Sequence, residues 1–481
     1  MSRLVVVSNR VPAPSAAGAQ AGGLAVALEA MLQQRGGVWF GWSGQVSDST
    51  ALRTVDAGRV RYATLDLSAE EHRRYYNEFS NSTLWPLLHS LPELMTFDRR
   101  NAGAYRAVNE RFAARLEPML RPGDLIWVHD YHLMALPAAL RAGGVRAPIG
   151  FFLHIPFPSP DMLASVPDSS ALVRDLLAAD LLGFQTENDA ENFADAAVRM
   201  AGAARGSPGW LIVGSRRVRL GVFPVEIEAR DFAEIARDAW LATPTERLRR
   251  SLTGQSLVLG VDRMDPTKGL LQRLAGYRRL LETRPRWHRR ATLLQIAAES
   301  RQDVAAYQDL RDAVEGEAGH INSAFSEPDW TPVRLIARAG ARTTIAGYMR
   351  EARVGLVTPL RDGMNLVAKE YIAAQDPQNP GVLVLSRFAG AARQLHAALL
   401  VNPHDADELA DALDAALTMS LTERQRRWAQ CWEAIREASP MHWGRSFIAA
   451  LLRATAKRPV HSGTPEPVLA TRPGSSEMRL I

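Results

Sequence analysis

The chain has 481 residues, 47% of them hydrophobic and 23% charged, with a formal charge of +5; this is an ordinary globular composition, too long for one core, and two domains of about 200 residues are expected. The one cysteine, Cys431, excludes an internal disulfide and any cysteine-based metal cluster, and no apolar run approaches the ~20 residues of a membrane span. Arginine-rich stretches such as Arg247 to Arg250 and Arg424 to Arg427 have acids nearby and read as solvated helix faces, and no nucleic-acid motif accompanies them, so neither nucleic acid nor membrane is an expected partner.

The opening M-S-R-L-V-V-V-S-N-R is too short in its apolar part for a signal peptide and reads as a first strand, Leu4–Val7, which makes a cytoplasmic location the default. The strand runs into Ser8 to Arg10. A-G-G-L-A at Ala21 to Ala25 then opens a helical pattern over Gly23–Gln33, either as a ligand loop, where glycines let the backbone approach a phosphate, or as a plain strand–helix turn. It is not the G-x-G-x-x-G of a dinucleotide site. A helical stretch at Ala104–Leu116 precedes the strand Leu125–Val128, which ends in His129, Asp130 and His132. Ionisable groups at a buried strand end are costly unless paired or used; substrate contact and structural pairing both remain open, whereas convergence of the three on one metal ion is disfavoured. The next strand, Ile149–Leu153, ends in His154, held by prolines at 156 and 158.

Strands at Leu181–Phe184 and Val218–Phe223 follow, and a domain boundary is expected near Glu228 to Ala242. Then come a strand at Leu257–Val261, a helix at Leu270–Thr283, a strand at Ala291–Ile296 and a helix at Asp303–Ala318. G-V-D-R-M-D-P-T-K-G at Gly260 to Gly269 places Arg263 and Lys268 between a strand and a helix start, where a fork donor and a point charge suit a diphosphate. Lysine is rare here: all 57 basic residues are arginine except Lys268, Lys369 and Lys457. The richest segment is V-G-L-V-T-P-L-R-D-G-M-N-L-V-A-K-E-Y, Val354 to Tyr371. Its buried strand, Val354–Val357, turns through Asp362 and Gly363 into a helix from about Leu366, and unpaired N–H groups there make an anion site. Glu370, a turn further on, is placed for ribose hydroxyls and Asp362 for sugar hydroxyls.

A strand at Val382–Leu385 follows. Asp405-Ala406-Asp407 looks like a metal-binding D-x-D, but Asp405 and Glu408 read better as a capping arrangement for the helix Ala406–Thr418. Helices at about Thr422–Glu437 and Trp443–Ala456 close the pattern, and 457–481, without periodicity, is expected to be a mobile tail. Strands alternating with helices predict an α/β protein with parallel sheets, whose ligands sit beyond the strands' carboxyl ends.

With these strings in hand, the chain resembles the bacterial trehalose-6-phosphate synthases, retaining glycosyltransferases of the GT-B fold. The likeness runs from about Ser2 to Leu452 and rests on L-V-V-V-S-N-R, A-G-G-L-A-V, W-F-G-W-S-G, Y-Y-N-E-F-S-N, L-W-P, H-D-Y-H-L, G-F-F-L-H-I-P-F-P, L-L-G-F-Q-T-E-N-D and T-P-L-R-D-G-M-N-L-V-A-K-E-Y. It implies two Rossmann-like domains facing a deep cleft. Residues 1–227 would bind the acceptor, with a helix at about 441–456 packing back on them, and residues 228–440 the nucleotide-sugar donor.

The resemblance also implies roles. Gly22 and Gly23 would lie against the donor diphosphate, and Arg263 and Lys268 would neutralise it. Asp362, with Gly363, Met364 and Asn365, would hold the donor glucose. Leu366, Val367, Ala368, Lys369 and Glu370 would hold the nucleoside. Arg10, Tyr76, Trp85, Asp130 and Arg301 would form the glucose 6-phosphate site. His154 would touch the donor sugar near the reacting carbon, and Ile155 would shape acceptor selection. The reaction implied is transfer of glucose from a nucleotide-glucose, UDP-glucose foremost, to glucose 6-phosphate, with no cofactor and no metal. Family members commonly self-associate, which leaves a homo-oligomer open. A relative with another acceptor, such as a glucosylglycerol-phosphate synthase or a pseudo-glycosyltransferase, and an idle sugar-phosphate-binding regulator are the alternatives. Three positions depart from the family's pattern: Pro266 stands where an aromatic residue is common, Arg353 where an acid is usual, and Glu226 where a glycine is usual.

Overall fold

The computed structural model describes residues 2–12, 23–49, 51–301 and 304–456; Gly22 and the tail 457–481 lie outside the described residues. The first strand, β1 (Leu4–Arg10), alternates strictly: Val5 and Val7 face one core, Leu4 and Val6 the other. Burial on both faces places it centrally. It pairs in parallel with β2 (Gly37–Val46) and with β5 (Leu125–His129), after the antiparallel edge pair β3 (Arg53–Ala57) and β4 (Val60–Leu67). The strands β6 (Ile149–Phe152), β7 (Leu181–Phe184), β8 (Ala204–Arg205), β9 (Trp210–Val213) and β10 (Arg216–Val222) complete a ten-stranded sheet of order β3-β4-β2-β1-β5-β6-β7-β10-β9-β8.

A second sheet is parallel throughout. Its strands are β11 (Ser256–Arg263), β12 (Ala291–Ala298), β13 (Val333–Ile336), β14 (Val354–Val357), β15 (Val382–Ser386) and β16 (Leu399–Val401), in the order β13-β12-β11-β14-β15-β16. The α/β expectation holds. Of the strands that periodicity passed over, β2 is interrupted by glycines and β3 is largely exposed, whereas β4 is buried along most of its length.

Chain crossings tie the two halves together. The chain leaves the first sheet at Val222 and enters the helix Ala229–Trp240. It returns in the helix Pro440–Thr455, where Ser439 caps the first turn by accepting from the His442 N–H. Trp443, Phe447 and Leu451 of that helix pack on Leu4, Val6, Trp127, Phe152 and Leu181. The approach is close enough to need glycine, since a Cβ on Gly150 or Gly183 would lie 2.6 or 2.7 Å from the Phe447 ring. Asp405 does cap the helix Ala406–Thr418, accepting from the N–H groups of Asp407 and Glu408.

Candidate active site

The carboxyl ends of β1, β5 and β6 face those of β11 and β14 across a cavity of about 800 Å3. Arg10 ends β1 and lines it; Gly44 makes room, because a Cβ there would lie 2.6 Å from the Arg10 Nε. Just past β5, Asp130 has φ 75 and ψ 169, a conformation that normally requires glycine and is kept where the surroundings over-determine it. Its N–H donates to the Phe152 carbonyl at 2.8 Å and its Oδ1 accepts from the His154 N–H at 3.2 Å. Burial pushes the Asp130 carboxyl up to about 6, against the pull of backbone N–H groups of His154 and Tyr131.

His154 lies beside His129, with Nε2 3.0 Å from Nδ1 of its neighbour. Burial drives both rings to the neutral form, His154 down to about 3 and His129 well below its usual value, the latter helped by His154. One nitrogen of the contact therefore donates and the other accepts. His129 Nε2 is enclosed without a partner. The arrangement that leaves no orphaned N–H has His129 donating from Nδ1, which puts the proton of His154 on its own Nδ1.

Across the cavity, Lys268 Nζ donates to Asp362 Oδ2 at 2.5 Å, and Asn365 Nδ2 donates to the same oxygen at 3.0 Å. Burial raises the Asp362 carboxyl, but Lys268 beside it brings it below the usual carboxylate range. Asn365, at φ 76, caps the helix Leu366–Ala374 by accepting from the Ala368 N–H. Gly363 touches the opposite wall: a Cβ on it would lie 2.2 Å from the His154 carbonyl oxygen. Buried Asp265 organises the basic groups. It accepts from the Thr267 N–H at 3.0 Å and from Arg263 Nη2 at 3.3 Å, with Arg301 Nη1 at 3.9 Å.

Arg301, at φ 47, spans the two halves. Its Nη2 donates to the Tyr131 hydroxyl at 3.0 Å, its Nη1 donates to the Tyr307 hydroxyl, and its guanidinium lies 4.0 Å from the centre of the Trp85 ring. Tyr76, in a π-helical stretch over His72–Leu84, stacks on His132 at 5.7 Å. His132 lines the cavity with both ring nitrogens enclosed and unpartnered. Asp130, Arg301 and Asn365 are three of the seven described non-glycine residues at positive φ, so backbone strain gathers at this cleft.

Of the residues singled out in the sequence, Arg10, Asp130, His154, Arg263, Lys268, Asp362, Met364, Asn365, Leu366 and Val367 line the one cavity. Tyr76, Trp85 and Arg301 form a cluster at its edge through Tyr131 and His132. Gly23 begins the helix Gly23–Arg35. Gly363 and Ile155 meet at the contact between the halves, with 2.9 Å between a Gly363 Cβ and the Ile155 Cα. Ala368 is buried in its helix, Lys369 points away to Glu226, and Glu370 lies 3.8 Å from Arg342 with its carboxyl raised by burial to about 6. Sequence reasoning missed Asp265, Tyr131 and Tyr307. Asp265 carried a signal, since it precedes Pro266 and caps the short turn that presents Lys268. His129 and His132 do not converge, and among the described residues no group of three His, Cys, Asp or Glu could hold a metal ion. Among the same residues no helix is long and apolar enough to cross a membrane.

The sequence matches the model of glycosyltransferase family 20 over residues 2–453. It is 46% identical over 454 residues to the trehalose-6-phosphate synthase of Sinorhizobium fredii, covering 93% of this chain and 98% of that one. Among solved structures, it is similar to a UDP-forming α,α-trehalose-phosphate synthase from Burkholderia xenovorans in complex with glucose-6-phosphate, at 45% identity and a TM-score of 0.89 over 93% of this chain and 99% of that one. It is also similar to an E. coli trehalose-6-phosphate structure bound with UDP-2-fluoro glucose, at 44% identity and a TM-score of 0.91 over 95% and 100% of the two chains.

Proposed function

The chain belongs to glycosyltransferase family 20, and on that premise we propose that it transfers glucose from UDP-glucose to glucose 6-phosphate with retention of configuration, giving α,α-trehalose 6-phosphate and UDP. The observation that carries the reading is the Lys268–Asp362 pair facing Asp130 and His154 across one cavity. A charge pair of this kind can open to a diphosphate on the lysine side and to sugar hydroxyls on the aspartate side. Glucose-6-phosphate in the Burkholderia xenovorans structure and UDP-2-fluoro glucose, a donor analogue, in the E. coli structure support the same pair of ligands.

In this reading Arg263 and Lys268 neutralise the diphosphate, with Gly22 and Gly23 against it. Asp362 and the backbone of Gly363 to Asn365 hold the glucose, and the helix from Leu366 to Glu370 holds the nucleoside. Arg10 and Arg301 take the acceptor phosphate, with Tyr76 and Trp85 as walls, while Asp130 holds acceptor hydroxyls and Ile155 shapes their approach. The bond between the anomeric carbon and the phosphate oxygen breaks, and its electrons stay with UDP. The acceptor oxygen forms the new bond on the same face, and its proton passes to the departing phosphate oxygen. The protein contributes positioning and stabilisation of charge on the leaving group. Arg263 and Lys268 supply that charge, so the reading needs no metal or cofactor. The reaction belongs in the cytoplasm.

Incubation with UDP-, GDP- or ADP-glucose plus glucose 6-phosphate tests it. A disaccharide phosphate is expected, with UDP-glucose the best donor. No disaccharide phosphate from any of the three would overturn the proposal.

A further inference from the structure

A second cavity, of about 450 Å3, opens at the other end of the six-stranded sheet, where its strands begin. Arg249, Arg350, Arg353, Glu351 and Asp376 line it, with Ser256 at the start of β11. Two of the arginines are committed. Arg249 donates to Glu246, to Glu351 and to the Trp240 carbonyl, and Arg350 donates to the Ala374 and Gln375 carbonyls with Asp376 3.6 Å away.

Arg353 is different. It is half-buried, its Nε is enclosed without a partner, its electrostatic neighbour is Tyr371, and its own charge acts on a second cation, Arg424, whose pKa burial and then that charge lower. Arg424 donates Nη1 to Asn379 Oδ1 at 2.9 Å and to the Pro380 carbonyl, and its Nε is likewise enclosed and unpartnered. Among the described residues neither guanidinium has a carboxylate within ion-pair distance, whereas their neighbours do. Two guanidiniums sharing a partly dry site without a counter-charge repel each other, and such sites are relieved by an anion.

We propose that this pocket is a second anion site, distinct from the cleft, which takes the phosphate group of a small phosphorylated compound on Arg353, backed by Arg424. The guanidinium fork matches phosphate oxygens. The volume exceeds that of a bare anion, and the half-exposed Asp376 carboxylate offers acceptors for hydroxyls. The placement gives the site a route to the cleft. Arg353 immediately precedes β14, whose far end leads to Asp362, and Asp376 follows the helix Leu366–Ala374, whose first turn lines the cleft. An occupant therefore bears on both elements that carry the proposed donor site.

Calorimetric titration tests this. Inorganic phosphate and glucose 6-phosphate are each titrated into the wild-type chain, Arg353→Gln, Arg353→Lys and Lys268→Ala at constant ionic strength. We expect one binding event to weaken at least about tenfold in Arg353→Gln, to be largely kept in Arg353→Lys, and to be unchanged in Lys268→Ala. Tighter binding of glucose 6-phosphate than of phosphate to that event would assign the occupant to a sugar phosphate, and equal affinity to the free anion. Arg353→Gln removes no partnered group and relieves the repulsion from Arg424, so its melting temperature should not fall below the wild-type value. Wild-type titration curves for Arg353→Gln with both ligands would overturn the proposal. Failure of the synthase reading would show instead as absent product, with the Arg353-dependent event intact.

Discussion

Lys369 Nζ donates to Glu226 Oε2 at 2.6 Å, with the lysine fully buried and the glutamate 8% exposed. The pair joins the helix Leu366–Ala374 to the segment between the two sheets. The same ammonium donates to the Val225 carbonyl at 2.8 Å, and Gln394 Nε2 donates to the other carboxylate oxygen at 2.7 Å. Removing one partner strands a buried charge, which costs about 3–5 kcal/mol. Glu226→Gln and Lys369→Met should each lower the urea midpoint strongly and raise the donor KM, because Leu366 and Val367 line the cleft from the first turn of that helix. The double variant should lose much less than the sum. Strict additivity of the two losses would show that the pair is not coupled.

Asp130 links function to stability. Its folded carboxyl titrates at about 6, above its usual value of 3.8, because burial disfavours the charge. The native state then holds the proton more tightly than the unfolded chain. The penalty is absent below about pH 4, grows through the interval, and is complete above about pH 6, reaching about 3 kcal/mol. Asp130→Asn should therefore melt higher than wild type at pH 8 and level with it at pH 4, while losing activity. Equal melting temperatures at pH 8 would contradict this.

Lys268→Ala should lower activity at least about tenfold through the donor, since one charge-assisted contact contributes about that much. It also releases Asp362, whose carboxyl Lys268 holds below the usual range. That depression stabilises the wild-type protein above the usual carboxylate value and is lost as pH falls through the folded value, so the variant's stability deficit should shrink in acid. Unchanged kinetics at both limiting and saturating donor would refute the diphosphate assignment.

Gly363→Ala would place a Cβ 2.2 Å from the His154 carbonyl oxygen, on the far wall of the cleft. The two walls must then separate. A displacement of that order should cost about a hundredfold in kcat, and the clash with backbone atoms should also lower the melting temperature. Near-wild-type kcat would mean that this contact does not set the productive geometry.

The sequence by itself determined the local pieces. Val354–Val357 was legible to the residue because all four positions are buried and apolar, and the helix start at Leu366 because Asp362, Gly363 and Asn365 punctuate the turn before it. Asp130, His154 and Asp362 stood out because each lies just past an apolar run, whereas Tyr76, Trp85, Ile155 and Arg301 came only from the family resemblance. Glycine-rich β2 and the π-helical His72–Leu84 lacked any such period. The tertiary structure alone decided which strand ends face one another, since that depends on strand order. It brought His129 to His154, set Arg301 3.9 Å from Asp265, and gave the rare Lys369 a partner 143 residues away. Each of these contacts depends on the packing of distant segments, which local hydrophobic patterning does not encode.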